Sequence, residues 1–328
     1  MLTAITNKQS IPIILRTREA WVLDFRYLLI VFWLVIGLLM GRPAMAQDAT
    51  HVLSYSDPQY AWENPPEQAQ AQEGFLDVNG AKIWYWDTGG AGEAVVFSHP
   101  ASGSGLTWEY QQPVLVDAGY RVIGYSRRGA FQSDVTDDQT EISASDDLMT
   151  LLDYLAIDKF HIVAIAAGGN VAPDLADRYP DRVLSLAVGC TIGRTDDESY
   201  ASSNATLMPD EFSQLPTYVK ELSPFYRGAN PQGTLAWIDI YEKSQAGTRV
   251  GLNLRRMTTE ILASISQPVL LFTGDADFYM PPSRLRAYSQ YWTNPEVVVF
   301  RGAGHAPHWE QPIAFNETLL NFLQRNGQ

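Results

Sequence analysis

From residue 75 onward, short apolar runs typical of strands alternate with segments that have the hydrophobic spacing of helices. Short apolar runs bounded by turn residues predict eight strands. These strands cover residues 75–78, 83–86, 94–97, 121–125, 160–165, 183–188, 268–272 and 296–300. Helical spacing covers residues 143–155, 170–179, 282–291 and 310–324. This alternation predicts an α/β fold, with a mostly parallel sheet covered by helices on both faces.

The first two strands and one long insert complete the predicted architecture. Asn79-Gly80 lies between the strands at 75–78 and 83–86 and is a strong signal for an antiparallel hairpin at one edge of the sheet. Between about residues 191 and 265 the strand signal disappears, and aromatic residues interrupt a helical, partly polar segment. An insert of about 70 residues far exceeds ordinary loop lengths and usually carries function. We interpret it as a helical cap over the strand ends.

The N-terminal segment has the features of an export signal. Residues 1–26 carry four basic side chains, an apolar run covers residues 27–40, and Ala44-Met45-Ala46 offers a small-x-small cleavage site. The apolar run is shorter than the roughly 18 to 20 residues of a spanning helix. We therefore predict a signal peptide over residues 1–46 and a periplasmic or secreted protein. An N-terminal membrane anchor is the alternative.

The net charge of the chain limits the classes of molecule that the protein is expected to bind. Residues 1–46 hold five basic and two acidic residues, so their removal leaves 18 basic and 35 acidic residues and a net charge of −17. Such a chain is a poor candidate for binding nucleic acid or anionic lipid. We predict a small-molecule partner, no nucleic acid and no membrane after signal cleavage, and leave the oligomeric state open. Residues 47–73 are predicted to be a polar extension ahead of the domain at 74–328.

Polar or glycine-rich segments follow five of the predicted strands. Ligands of open α/β sheets bind at the carboxyl ends of the strands, so these segments are the candidate site. They are Ser98-His99-Pro100-Ala101, Ser126-Arg127-Arg128-Gly129, Ala166-Ala167-Gly168-Gly169, Gly274-Asp275-Ala276-Asp277 and Gly302-Ala303-Gly304-His305.

In this order the segments resemble the motifs of the α/β-hydrolase fold superfamily, over essentially all of residues 74–328. In that family a Gly-x-Ser-x-Gly turn carries the nucleophile, and an acid and a histidine follow later in the chain. The resemblance places Asp277 on the acid, His305 on the base and Ala166 on the nucleophile position. It also implies oxyanion-hole N–H groups at Ala101 and Ala167, and an eight-stranded α/β-hydrolase fold with a helical cap.

The chain departs from the family at the nucleophile. Ala164 and Ala166 replace the first glycine and the serine of the turn, Pro100 replaces a glycine, and Ser126 replaces an aspartate. In another hydrolase, loss of the nucleophile lowers kcat by about 10⁶. Acyl-enzyme chemistry at Ala166 is therefore excluded. Other hydroxyl and thiol groups are interpreted as structural because none occupies the turn. They are Ser102, Ser104, Ser126, Ser133 and Cys190.

His305 is the candidate general base. A carboxylate partner at Asp277 would fix one ring nitrogen and leave the other facing the pocket. We predict a dyad that activates water, or abstracts a proton, on a small ester-like, lactone-like or carbonyl substrate, without a cofactor. The alternative is a non-catalytic receptor or carrier in which His305 is a hydrogen-bonded buried residue.

Further candidate residues surround this predicted pocket. Its walls are predicted to include His99, Trp108, Phe131 and Trp237. The spacing His305-x-x-His308 is a possible pair of metal ligands, but no third ligand has a suitable local spacing, so we predict no metal site. Arg128 is expected to tie loops together rather than to bind phosphate.

Overall fold

One mixed sheet organises the part of the chain that the structure describes. The computed structural model describes residues 52–78, 80–135, 143–191, 193–203, 206–245 and 255–327. The strands are β1 (Ser54–Tyr55), β2 (Gln72–Val78), β3 (Ala81–Asp87), β4 (Ala94–Ser98), β5 (Arg121–Tyr125), β6 (Asp134–Val135), β7 (Phe160–Ile165), β8 (Val183–Gly189), β9 (Val269–Gly274) and β10 (Glu296–Phe300). The predicted signal peptide lies outside the described residues.

Helices connect most of the parallel strands. They are α1 (Gln112–Asp117), α2 (Ala144–Tyr154), α3 (Val171–Arg178), α4 (Glu198–Ser203), α5 (Thr217–Glu221), α6 (Pro224–Ala229), α7 (Pro231–Ser244), α8 (Thr259–Ser264), α9 (Pro282–Ser289), α10 (Pro307–Glu310) and α11 (Pro312–Arg325). Short 3₁₀ segments cover Gly105–Trp108, Ala166–Asn170 and Asp210–Gln214. Within the described residues, no helix is long and apolar enough to cross a membrane.

The strand order confirms the predicted mostly parallel sheet. The strands lie in the order β1-β10-β9-β8-β7-β4-β5-β3-β2, and β6 pairs with β3. β3 runs antiparallel to β5 on one side and to β2 on the other. The hairpin of β2 and β3 forms one edge of the sheet. The strands β5, β4, β7, β8, β9 and β10 lie side by side in this order, and each is parallel to the next. The loops that follow these strands therefore meet at one edge of the sheet.

The predicted count of eight strands is corrected to ten within the described residues. β1 pairs in parallel with β10, and β6 pairs with the start of β3. Each has only two residues, which is too short to show the period-two alternation of a strand. β1 lies within residues 47–73, which were predicted to be a polar extension.

Two apolar cores cover the two faces of the sheet. On β4, Val96 belongs to one core and Val95 and Phe97 to the other, as expected from the alternation of side chains along a strand. The first core also includes side chains of α2, α3 and α9, and the second includes side chains of α1 and α11. A third cluster joins Trp237 and Tyr226 of the insert to Trp309 of α10. The insert is therefore anchored beside the loop that carries His305.

Arg128 ties the loop after β5 to α2. Its Nε donates to Asp147 Oδ2 at 2.6 Å, and its Nη2 donates to Asp147 Oδ1 at 2.8 Å. Burial raises the pKa of Asp147, and Arg128 opposes that rise. Both side chains are largely removed from water. Loss of either charge would therefore leave the other buried without a partner, which is costly.

We expect Arg128→Met to lower the free energy of unfolding by about 3–5 kcal/mol, because it leaves the buried Asp147 carboxylate unpaired. Urea titration followed by circular dichroism measures the change. The matched control is Arg325→Met, which removes the exposed partner of Glu296 and is expected to cost at most about 1 kcal/mol. Equal losses in the two variants would contradict the assigned role of Arg128.

Candidate functional site

The Asp277 carboxylate is held by its own turn. It lies three residues after the end of β9, and its Oδ1 accepts the backbone N–H groups of Tyr279 at 2.7 Å and Met280 at 3.1 Å. The backbone N–H of Ala276 donates to Ala303 O at 2.9 Å. This bond joins the Asp277 turn to the loop that carries His305.

His305 lies against both carboxylate oxygens of Asp277. Its Nδ1 is 2.9 Å from Oδ1 and 2.9 Å from Oδ2, and the ring is buried with 7% exposure. Burial lowers the pKa of His305, but Asp277, together with Glu221 and Glu310, outweighs this effect and raises the pKa above its ordinary value. The carboxylate thus orients the ring through one nitrogen and favours its protonated form.

A strained turn follows β7. Ala166 has a φ of 52°, a left-handed conformation that non-glycine residues rarely adopt and that costs of order 1 kcal/mol or more. A Cβ on Gly168 would lie 2.2 Å from Ser98 O, so the turn is packed directly against the end of β4. The helix α3 begins at Val171, immediately after this turn. The sharp geometry is therefore present at a position without a hydroxyl.

Ala101 and Ala167 follow neighbouring strands. β4 and β7 pair in parallel as far as Ser98 and Ala164, and each candidate lies three residues beyond that last pair. Ala167 also belongs to the 3₁₀ segment that leads into α3. The two candidates thus lie at adjacent strand ends, and their role as an oxyanion hole stays a prediction.

His99 is committed to bonds within the protein. Its Nδ1 lies 2.7 Å from Pro100 O, and its Nε2 accepts the backbone N–H of Arg127 at 2.9 Å. The Arg127 side chain donates to His99 O and, at 3.0 Å, to Pro100 O. These bonds hold the loop that carries Ala101. The contacts favour a bracing role for His99, while its predicted contact with substrate stays a prediction.

The three aromatic candidates lie in two places. Trp108 and Phe131 line a cavity of about 370 Å³, together with Trp84 and Trp86 of β3; neither dyad residue lines it. Trp237 is buried, and its Nε1 donates to Glu221 Oε2 at 3.1 Å. Trp237 is thus close to the His305 loop through Glu221, and substrate contact by all three stays a prediction.

Cys190 lies beside the dyad. It has a φ of 52° at the end of β8, and its Sγ, a carboxylate oxygen of Asp277 and a ring nitrogen of His305 all lie within 4.8 Å of one another. Burial, followed by the charge of Asp277, raises the pKa of the Cys190 thiol well above its ordinary range. A cation could bind these three atoms only if the buried thiol released its proton.

His308 lies in an aromatic environment away from these three atoms. Its ring centroid is 4.9 Å from that of Trp108 and 5.8 Å from that of Trp237. Burial lowers the pKa of His308 to about 3, so the ring is neutral. His308 therefore packs on α10 against these aromatic rings. The absence of a resident metal stays a prediction.

Sequence reasoning missed three groups around His305. The Tyr279 ring centroid is 4.4 Å from that of His305, and burial raises the pKa of Tyr279 to about 12. Glu310 is fully buried, and its carboxylate accepts the N–H groups of Gly304 and Ser223, each at 2.7 Å. Glu221, at the end of α5, is buried beside the same loop. Tyr279 had a usable signal, its position two residues after Asp277, and Glu310 had one, its position five residues after His305. Glu221 had none.

The match to a family of known proteins agrees with this arrangement of strands and loops. A sequence model of the "Alpha/beta hydrolase family" matches residues 95–318 of the chain. The chain belongs to the α/β-hydrolase family. The match spans the strands β4 to β10, the turn at Ala166, and both Asp277 and His305.

Individual relatives cover most of this α/β-hydrolase chain. The putative non-heme bromoperoxidase BpoC of Mycobacterium tuberculosis is 28% identical over 252 residues, covering 73% of this chain and 96% of the relative. The 2-hydroxy-6-oxononadienedioate/2-hydroxy-6-oxononatrienedioate hydrolase of Escherichia coli is 28% identical over 300 residues, covering 79% of this chain and 98% of the relative. The structure of a thermophilic esterase from Thermogutta terrifontis has a TM-score of 0.65 at 22% identity and covers 79% of this chain and 100% of that one. This likeness supports the fold alone.

Proposed function

We propose that the protein hydrolyses a small ester-like or lactone-like compound, or acts on a related carbonyl compound, by using His305 and Asp277 without an acyl-enzyme at Ala166. The observation that carries the proposal is the contact of His305 Nδ1 with both Asp277 oxygens at 2.9 Å. This contact orients the imidazole so that Nε2 is the nitrogen left for a proton transfer. The hydrolase relatives and the family support the reaction class.

In the proposed reaction, His305 Nε2 takes a proton from water as the water oxygen attacks the carbonyl carbon. The negative charge on the carbonyl oxygen is stabilised by the N–H groups of Ala101 and Ala167. The tetrahedral intermediate then breaks its bond to the leaving oxygen, which receives the proton from His305. The products are a carboxylic acid and an alcohol, or a hydroxy acid from a lactone.

The strained turn at Ala166 supports this reaction. In the family this turn aims a serine oxygen at the histidine. Ala166 keeps the left-handed φ but has only a methyl side chain. In our proposal the attacking water takes the place of that oxygen. Abstraction of a substrate proton by His305 is the variant of the same proposal for a carbonyl substrate.

A panel of activated esters and lactones tests the proposal. The purified chain is assayed beside His305→Ala, with p-nitrophenyl butyrate and simple lactones as substrates. Turnover that disappears in His305→Ala supports the dyad. Turnover that persists unchanged in His305→Ala would show that another group performs the reaction.

We expect kcat/KM to rise with pH through the pKa of His305, because only the neutral imidazole accepts a proton. Since the carboxylates raise that pKa, the acidic limb is expected above the ordinary histidine value of about 6.5. The same shift means that the protonated pair stabilises the fold below the unfolded-state pKa. This contribution is lost as pH rises through the folded-state pKa.

A pH profile of kcat/KM measures the acidic limb. Asp277→Asn removes the partner carboxylate and is expected to move the limb to lower pH, in addition to lowering the rate. A limb at or below about 6.5 in the unmodified chain would contradict the expected effect of the carboxylates.

The second candidate function is ligand binding without turnover, as a receptor or carrier. The methyl side chain of Ala166 favours it, because the position that holds the nucleophile in the family has no hydroxyl here. Recovery of a small molecule bound to the purified chain, together with no turnover on any ester, lactone or carbonyl compound, would select this candidate. Export through residues 1–46 is a separate proposal and is compatible with either function.

A further inference from the structure

Glu221 brings a second carboxylate to the dyad from the insert. It is the last residue of α5 and is buried with 7% exposure. Its backbone carbonyl accepts the N–H of His305 at 2.6 Å. A carboxylate so removed from water requires partners or a function, because burial disfavours its charged form.

The backbone of Glu221 is fixed relative to His305. A Cβ on Gly304 would lie 2.6 Å from Glu221 O and 2.8 Å from Ser223 N, so only glycine allows this close approach of the two segments. The Glu310 carboxylate accepts N–H groups from both Gly304 and Ser223. The insert and the His305 loop are thus joined at this point, and the backbone of Glu221 is held beside that of His305.

The Glu221 carboxylate is held by a side chain of the insert. Trp237 Nε1 donates to Oε2 at 3.1 Å. Burial raises the pKa of Glu221, whereas His305, Ser102, Trp237 and the partly exposed Lys220 oppose that rise. In return, the charge of Glu221 raises the pKa values of His305 and Tyr279.

The charges facing His305 are therefore mainly negative. They come from Asp277 and from Glu221 when it is ionised. Burial raises the pKa of Glu310, behind the same loop, to about 8, so Glu310 carries a full charge only at higher pH. His308 is neutral and Cys190 is a protonated thiol. One imidazolium cannot neutralise more than one of these carboxylates, and an additional anion in a buried site is repelled more strongly than in water.

We propose that Glu221 sets the charge specificity of the site, so that the site accepts neutral or cationic acyl compounds and excludes those that carry a carboxylate. The inference rests on the proposed function for the reacting group, but it concerns binding as well as turnover. Like-charge exclusion of this kind is how binding sites reject a wrong partner that otherwise fits.

Two matched ligand pairs test the inference from about pH 7 to about pH 9, because burial raises the pKa of Glu221 and the preference is expected only where its carboxyl group is charged. The substrates are para-acetoxybenzamide and para-acetoxybenzoate, and the ligands for calorimetry are benzamide and benzoate. The unmodified chain is expected to prefer the neutral member of each pair by at least about tenfold. Glu221→Gln is expected to reduce both preferences by about tenfold or more, since it replaces the carboxylate by an amide of the same shape.

Glu296→Gln is the matched control. Glu296 is an exposed carboxylate at the start of β10, at the opposite end of that strand from the His305 loop, and it accepts a hydrogen bond from Arg325. This variant is expected to keep the preferences of the unmodified chain. Glu221→Met, which is neutral and of similar length, gives a second test if Glu221→Gln does not fold.

The two measurements separate this inference from the proposed function. If no substrate is turned over but the preference for benzamide falls in Glu221→Gln, the charge role of Glu221 is upheld and the hydrolase proposal fails. If turnover depends on His305 while the preferences are unchanged in Glu221→Gln and Glu221→Met, the inference is overturned. Equal changes in Glu221→Gln and Glu296→Gln also overturn it.

Discussion

Replacement of His305 by alanine is expected to lower kcat/KM for ester hydrolysis by about 10²–10⁴, the usual contribution of a positioned general base. The reason is geometric, because the structure holds the ring by Asp277 through Nδ1 and leaves Nε2 for the proton of water. Initial rates on p-nitrophenyl butyrate, with folding checked by circular dichroism, measure the loss.

Asp277→Asn is the companion variant. An asparagine keeps the shape of the side chain but presents one amide nitrogen to His305 Nδ1 in place of a carboxylate oxygen. In another hydrolase this kind of change lowers kcat by about 10⁴ because the wrong tautomer is held. If both variants keep the rate of the unmodified chain, the dyad has no part in the reaction.

Ala166→Ser is expected to raise the rate of ester cleavage by on the order of 10² or more and to change its course. The turn already has the left-handed φ of 52° that aims a side chain away from the strand. A hydroxyl placed there can attack the ester, and in another hydrolase the nucleophile accounts for about 10⁶ of kcat. A burst of p-nitrophenol equal to the enzyme concentration is expected, because an acyl-enzyme accumulates.

Two control variants define this result. Ala166→Gly accepts the left-handed conformation without strain and adds no hydroxyl, so it is expected to show neither burst nor rate gain. Adding His305→Ala to Ala166→Ser is expected to abolish the gain. A serine variant without any burst, in a protein that folds normally, would show that residue 166 is not positioned as the nucleophile.

The strand pattern was accessible from the sequence, and the dyad from the resemblance to the α/β-hydrolase superfamily. Parallel strands place their following loops at a common edge, and within the loops after β9 and β10 the resemblance assigned Asp277 and His305. The structure places the two side chains at 2.9 Å. Similar reasoning placed the turn at Ala166 beside the end of β4, where Gly168 packs against Ser98.

The contribution of the insert was not accessible in this way. Glu221 approaches His305 only because Glu310 bonds to Ser223 and Gly304, and these contacts join segments that are far apart in the chain. No local period or motif encodes such a contact. Cys190 is a second case, since its approach to Asp277 depends on a left-handed residue at the end of β8.

The measurement that tests the central claim most directly is intact-protein mass spectrometry of the unmodified chain, quenched during turnover of p-nitrophenyl butyrate. If His305 activates water, turnover proceeds with no butyryl adduct on the protein and no burst. A protein that turns the ester over while carrying a butyryl group, mapped for example to Ser102 or Cys190, would contradict the account. Absence of any turnover would contradict it as well.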